Sequence, residues 1–141
     1  MGRAATATAA EAPVKFVLDT HVLLWAAGEP DKLSVKGRTL LGDPENTLIF
    51  SAASLSEIVI KRGLGRDDFR VDPRMLRRGL LDNGYDELAV SSEHAVAVEG
   101  LPSLHKDPFD RLLIAQAQVE AMTLVTSDAM VARYPGTIQK I

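Results

Sequence analysis

The chain has 141 residues, 46% of them hydrophobic, which suits one domain that buries its own core without disulfide or metal staples. It contains no cysteine, which excludes a disulfide framework, thiol chemistry and Cys-based zinc sites and fits a reducing cytoplasm. The net charge of -3 comes from interleaved signs, so a nucleic-acid ligand needs a local basic patch; no run approaches the ~18 apolar residues of a membrane helix.

Residues 1–14, rich in Ala and Thr with no strongly apolar centre, read as a flexible tail preceding a single domain over 15–141. Lys15-Phe16-Val17-Leu18 predicts a buried first strand that stops at Asp19-Thr20. A short apolar helix over 21–27 carries Trp25, Gly28-Glu29-Pro30-Asp31 breaks it, and helical spacing resumes over 33–41. After the turn cluster Gly42-Asp43-Pro44-Glu45-Asn46, Thr47-Leu48-Ile49-Phe50 predicts a second strand. Ser51 then caps a helix whose Leu55, Ile58 and Val59 can pack on a sheet, with Ser54 and Glu57 on a different flank.

From Lys61 to Arg78 the basic residues cluster. Asp72-Pro73 opens a helix with Leu76, Leu80 and Leu81 turned inward. Arg62, Arg66, Arg74 and Arg78 are the candidates for phosphate contacts, although Asp67, Asp68 and Asp72 are interleaved and a merely solvated face competes with that reading. Residues 86–90 predict a short third strand, and Ser91 or Ser92 caps a helix through 98. Asp107-Pro108 starts another helix, placing Asp110 in the first turn, where the helix end favours an anion. That helix runs to about 121 and leads into Thr123-Leu124-Val125-Thr126, a strand ending at Ser127-Asp128.

Strands alternating with helices predict an α/β fold with a parallel sheet covered on both faces. In such sheets the ligand crevice lies outside the carboxyl ends of the strands, and Asp19, Glu57, Asp110 and Asp128 all fall there. Crowded carboxylates repel unless a cation neutralises them, and an oxygen-only donor set selects a hard ion such as Mg²⁺ or Mn²⁺. Such an ion can lower the pKa of water and stabilise charge on a phosphodiester, which points to phosphate-ester hydrolysis. Each acid has an ordinary alternative: Asp19 as a helix cap, Glu57 paired with Lys61 at i+4, Asp110 within a capping arrangement with Asp107, and Asp128 as a cap of a terminal turn. Thr20 and Ser54 stand beside acids as polar support, whereas His21, His94 and His105 read as structural or solvated.

Four segments, Leu18-Asp19-Thr20-His21-Val22-Leu23-Leu24-Trp25, Ser51-Ala52-Ala53-Ser54-Leu55-Ser56-Glu57-Ile58, His105-Lys106-Asp107-Pro108-Phe109-Asp110-Arg111-Leu112-Leu113-Ile114-Ala115-Gln116-Ala117 and Thr126-Ser127-Asp128, resemble PIN-domain proteins, specifically the VapC-like toxin ribonucleases of toxin–antitoxin pairs. The resemblance implies a three-layer α/β/α sandwich and an Mg²⁺- or Mn²⁺-dependent endoribonuclease that cuts RNA through a metal-activated water. Asp19 and Asp110 would be the principal metal ligands, Glu57 and Asp128 would complete the pocket, and Thr20 and Ser54 would support it. It also implies a cognate antitoxin, and either a homodimer or a toxin–antitoxin hetero-oligomer. Two other readings compete: a PIN-like module that binds RNA or a protein without cutting, and a phosphoryl-accepting domain with Asp19 as nucleophile. Against the latter, Asp19 is followed by Thr20-His21, not by a second acid two residues on.

Overall fold

The computed structural model describes residues 14–141, so the tail reading for 1–14 lies, apart from Val14, outside the described residues. Five strands, β1 (Lys15–Leu18), β2 (Thr47–Ser51), β3 (Asp86–Leu88), β4 (Thr123–Thr126) and β5 (Ile138–Lys140), form one sheet in the order β3-β2-β1-β4-β5, every neighbouring pair parallel. The connections carry six α-helices: α1 (Thr20–Gly28), α2 (Val35–Gly42), α3 (Ala52–Gly63), α4 (Pro73–Asp82), α5 (Ser92–Ala97) and α6 (Pro108–Glu120).

Strand alternation sorts the core into two layers, one on each side of the sheet. Phe16, Leu18, Phe50 and Val125 point to one side and pack with Val22 and Leu23 of α1, Leu40 of α2 and Leu76 and Leu80 of α4. Their immediate neighbours Val17, Ile49 and Leu124 point to the other and pack with Leu113, Ile114 and Ala117 of α6. The result is the expected three-layer sandwich. A sheet buried on both faces explains why β1 and β4 read as continuous apolar runs rather than alternating ones.

Helix boundaries follow their caps. Asp19, Ser34, Ser51, Asp72, Ser91 and Asp107 each accept a hydrogen bond from a backbone N–H in the first turn of the helix they precede, and Pro73 and Pro108 occupy first helical positions where no N–H is needed. Beyond element ends that shift by one or two residues, such as the third strand expected over 86–90 and found over 86–88, the structure differs from expectation in three details. β5 is a strand that its three residues do not announce; it exists because Leu124 to Thr126 offer a free edge for pairing. Val59 and Leu81, expected inward, are 54% and 40% exposed, because each directly follows a buried position, Ile58 and Leu80, and the helical turn of about 100° carries it off the apolar stripe.

α6 ends at Ala121, a non-glycine residue in the left-handed region (φ 56°) whose N–H caps the helix on the carbonyls of Ala117 and Gln118. A side chain there costs about 1 kcal/mol. Ala121→Gly is therefore expected to raise the midpoint of thermal unfolding by about 3 °C, read by circular dichroism.

Candidate functional site

The order β3-β2-β1-β4-β5 places β1 beside both β2 and β4, so the chain leaves the sheet in opposite directions on either side of β1. This is the point where such sheets open a crevice at their carboxyl ends. Asp19 stands there, immediately after β1, with its N–H bonded to the carbonyl of Val125 at 3.0 Å. Its carboxylate is 5% exposed and both oxygens are engaged: Oδ1 accepts from the Val22 N–H at 2.9 Å and Oδ2 from the Thr126 hydroxyl at the end of β4. Burial pushes the Asp19 carboxyl up; the bonds from Thr126 and Val22 oppose the shift, and the Asp128 charge adds to it. The cap reading of Asp19 thus holds, but a capping carboxylate so deeply buried is not an ordinary surface cap.

Glu57 reaches the same end from α3. It is 2% exposed, accepts a 2.6 Å hydrogen bond from the Thr20 hydroxyl, which also meets Ser54 Oγ at 3.0 Å, and pairs with Lys61 Nζ at 2.6 Å. The i,i+4 pair is therefore present, but buried instead of solvated. The same ammonium lies 3.3 Å from Asp107 Oδ2 and over the rings of Phe69 and Phe109, joining α3 to the start of α6. Burial works against its charge, yet Glu57 and Asp107 together hold the Lys61 pKa above its ordinary value.

Asp110 and Asp128 form the third part of the site, together with His105. One ligand atom from each lies within 4.8 Å of the others, and His105 Nε2 is 2.7 Å from Asp110 Oδ2. Burial raises the Asp110 pKa to about 6; the charges of Asp107, Glu57 and Asp19 push the same way, while the His105 hydrogen bond opposes them. Asp128 caps the following 3-10 turn by accepting from the N–H groups of Met130 and Val131, and its own N–H donates to Thr126 Oγ1. Thr126 therefore links Asp19 to the Asp128 segment.

Sequence reasoning passed over His105 and Thr126. The signal for both was proximity to acids in the sequence, in His105-Lys106-Asp107 and Thr126-Ser127-Asp128. The other histidines stay apart: His94 is buried against Glu120 at 2.7 Å, and His21, partly exposed, meets Asp68 at 3.2 Å. Gln116 is a further buried polar residue, accepting from the hydroxyl of Ser51, the cap of α3.

Of the basic candidates, Arg62, Arg74 and Arg78 are exposed and Arg66 is exposed but paired with Asp68 at 3.3 Å. A cavity of about 960 Å³ lies elsewhere: Trp25, Leu41, Val71, Met75 and Tyr85 help line it, and none of the four acids does.

The donor set suits a divalent cation: crowded carboxylates, one of them held up to about 6, gain from a hard ion that relieves their repulsion. A profile of the PIN domain matches residues 16–136. No curated protein matches the chain. Among solved structures it is similar to VapBC2 from Rickettsia felis bound to a DNA fragment from their promoter (17% identity, 91% of this chain and 99% of that chain, TM-score 0.69). It is also similar to DNA-bound VapBC from Salmonella typhimurium (16% identity, 90% and 98%, TM-score 0.60) and to VapBC-1 from nontypeable Haemophilus influenzae (16% identity, 90% and 98%, TM-score 0.57). At these identities the likeness establishes the fold.

A carboxyl raised to about 6 from 3.8 binds its proton more tightly in the folded protein than in the unfolded chain. The ion-free protein thus gains stability from Asp110 as pH falls from above 6 towards 4, and loses it as Asp110 ionises. Asp110→Asn, which imitates the protonated group, is expected to stabilise the chelator-treated protein by about 3 kcal/mol at pH 8 and by much less at pH 4. Denaturant unfolding at the two pH values measures the difference.

Proposed function

The chain belongs to the PIN domain family, and from that premise we propose that it is a divalent-metal-dependent endoribonuclease acting in the cytoplasm as the toxin of a toxin–antitoxin pair. The observation that supports this reading is that Asp110 and Asp128 lie with His105 within 4.8 Å, while the charges of Asp19 and Glu57 act on Asp110 from the end of β1 and from α3. Asp19 and Asp110 are proposed as the principal ligands of Mg²⁺ or Mn²⁺, with Glu57 and Asp128 completing the acidic pocket. A bound divalent ion supplies Lewis-acid stabilisation of a phosphodiester and eases loss of a proton from water.

The chain's own residues fix the geometry for that chemistry. Thr126 and the Val22 N–H prevent the Asp19 carboxylate from rotating, Thr20 orients Glu57 with Ser54 beside it, and Asp107 holds the first turn of α6 so that Asp110 faces the pocket's other acids. Arg62, Arg66, Arg74 and Arg78, exposed on α3, α4 and the segment between them, are proposed to meet RNA phosphates. The antitoxin partner is supported by the VapBC complexes among similar structures and by the open cavity beside Trp25, where Met75 is 73% exposed and suited to bury a partner's apolar side chain. A homodimer, or a hetero-oligomer with the antitoxin, is the proposed assembly. Among the described residues no helix is long and apolar enough to cross a membrane.

One observation favours the non-cleaving module instead: Glu57 already has an internal cation in Lys61 and leaves one acid fewer to attract an ion. Catalysis separates the two readings. The purified protein is expected to cut single-stranded RNA with Mg²⁺ or Mn²⁺ and to stop with chelator, and the isosteric Asp19→Asn or Asp110→Asn to slow cutting about a hundredfold or more with an unchanged circular dichroism spectrum. Undiminished cutting in either variant overturns the assignment; tight RNA binding with no product at any metal concentration supports the module.

A further inference from the structure

The expectation of a hard, oxygen-only site did not include His105, and the geometry around that residue changes the chemistry of the donor set. We infer that His105 is itself a metal ligand, adding one imidazole nitrogen to the carboxylates of Asp110 and Asp128, and that this nitrogen makes the site prefer Mn²⁺ over Mg²⁺. The inference deepens the metal-dependent reading and rests on it for the presence of an ion, but not for RNA cleavage.

Spacing is the first argument. Adjacent ligands on a six-coordinate ion at ~2.1 Å are about 3.0 Å apart and opposite ones about 4.2 Å. His105 Nε2 and Asp110 Oδ2 are 2.7 Å apart, and the set including Asp128 fits within 4.8 Å, so an ion needs only small side-chain adjustments to replace the direct contact.

The second argument is that His105 is held in place although it lies in a loop. Its N–H donates to Tyr134 Oη at 2.7 Å, and the Tyr134 hydroxyl lies 3.3 Å from its carbonyl. Tyr134 is 4% exposed and also receives Arg111 Nη1 at 3.2 Å, while Arg111 grips the carbonyl of Pro102 at 2.8 Å. Tyr134 follows the 3-10 turn that Asp128 initiates, so one buried phenol ties the backbone of one ligand to the segment bearing another. Ligands fixed in this way by their supporting residues are the rule at metal centres.

The third argument is the distribution of cations. Glu57 and Asp107 share the ammonium of Lys61, whereas among the described residues Asp110 and Asp128 have beside them only an imidazole. An incoming dication therefore gains most beside His105. Imidazole is a poor partner for Mg²⁺, which prefers oxygen and water, and a good one for Mn²⁺ and later transition ions.

The test uses the full chain, stripped with chelator and titrated with Mn²⁺ alone. Electron spin-echo envelope modulation of the bound Mn²⁺ is expected to show coupling to a directly bonded ¹⁴N, present in the wild type and in His21→Asn but lost in His105→Asn. Competition between the two ions is expected to show the Mn²⁺ over Mg²⁺ affinity ratio falling at least about tenfold in His105→Asn. Bound Mn²⁺ without ¹⁴N coupling in the wild type, or coupling that survives in a folded His105→Asn, overturns the assignment of His105 and leaves the metal-dependent reading standing. No Mn²⁺ binding up to millimolar concentration removes both. If His105→Asn fails to fold, coupling that persists in both His21→Asn and His94→Asn assigns the nitrogen to His105, the remaining histidine of three.

Discussion

The contact on which the rest depends is the bond from the Thr126 hydroxyl to the buried carboxylate of Asp19, made across 107 positions of sequence. It joins the ends of two adjacent strands and the first turn of α1, because the same carboxylate caps that helix through Val22. An ionised carboxylate in a nearly water-free position is costly unless hydrogen bonds or a cation compensate. Two hydrogen bonds compensate in part, and burial still raises its proton affinity. The strand ends thus store an unmet demand for positive charge, which is what a divalent-ion site requires of its scaffold.

Charge around that demand is distributed unevenly, and a single lysine decides how. Lys61 draws Glu57 and Asp107 together; burial alone would raise the Asp107 carboxyl, but the Asp110 N–H and the Lys61 charge hold it low. Asp110, one helical turn further on, has no such ammonium among the described residues and sits at about 6. Two acids three residues apart on one helix start therefore behave oppositely: Asp107 builds the helix, and Asp110 is left available to a ligand.

The framework of the molecule was legible because its signals are local. Asp107-Pro108 and Asp72-Pro73 mark helix starts by cap and by missing N–H, and β1 and β4 are short apolar runs that only a two-sided sheet can bury. What escaped reading depends on partners distant in sequence. β5 is recognisable only beside β4, and His105 reads as solvated until Tyr134, 29 residues later, is seen to clamp its backbone. Thr126 was an apolar strand's last residue until Asp19 came to lie opposite its hydroxyl. Val59 and Leu81 misled because each lies one step of about 100° past a buried residue, Ile58 and Leu80, beyond the edge of its helix's buried stripe. The residues bearing the acids were visible in sequence; the order of their pairings was not.

The two outermost strands bear on how copies of the chain can meet. β3 presents Asp86 and Glu87, and β5 ends in Lys140, so each open edge of the sheet carries charge on a strand only three residues long. Short, charged borders resist the strand-to-strand annealing by which exposed sheets polymerise. The central β1, flanked on both sides, is shielded from becoming a template for aggregation.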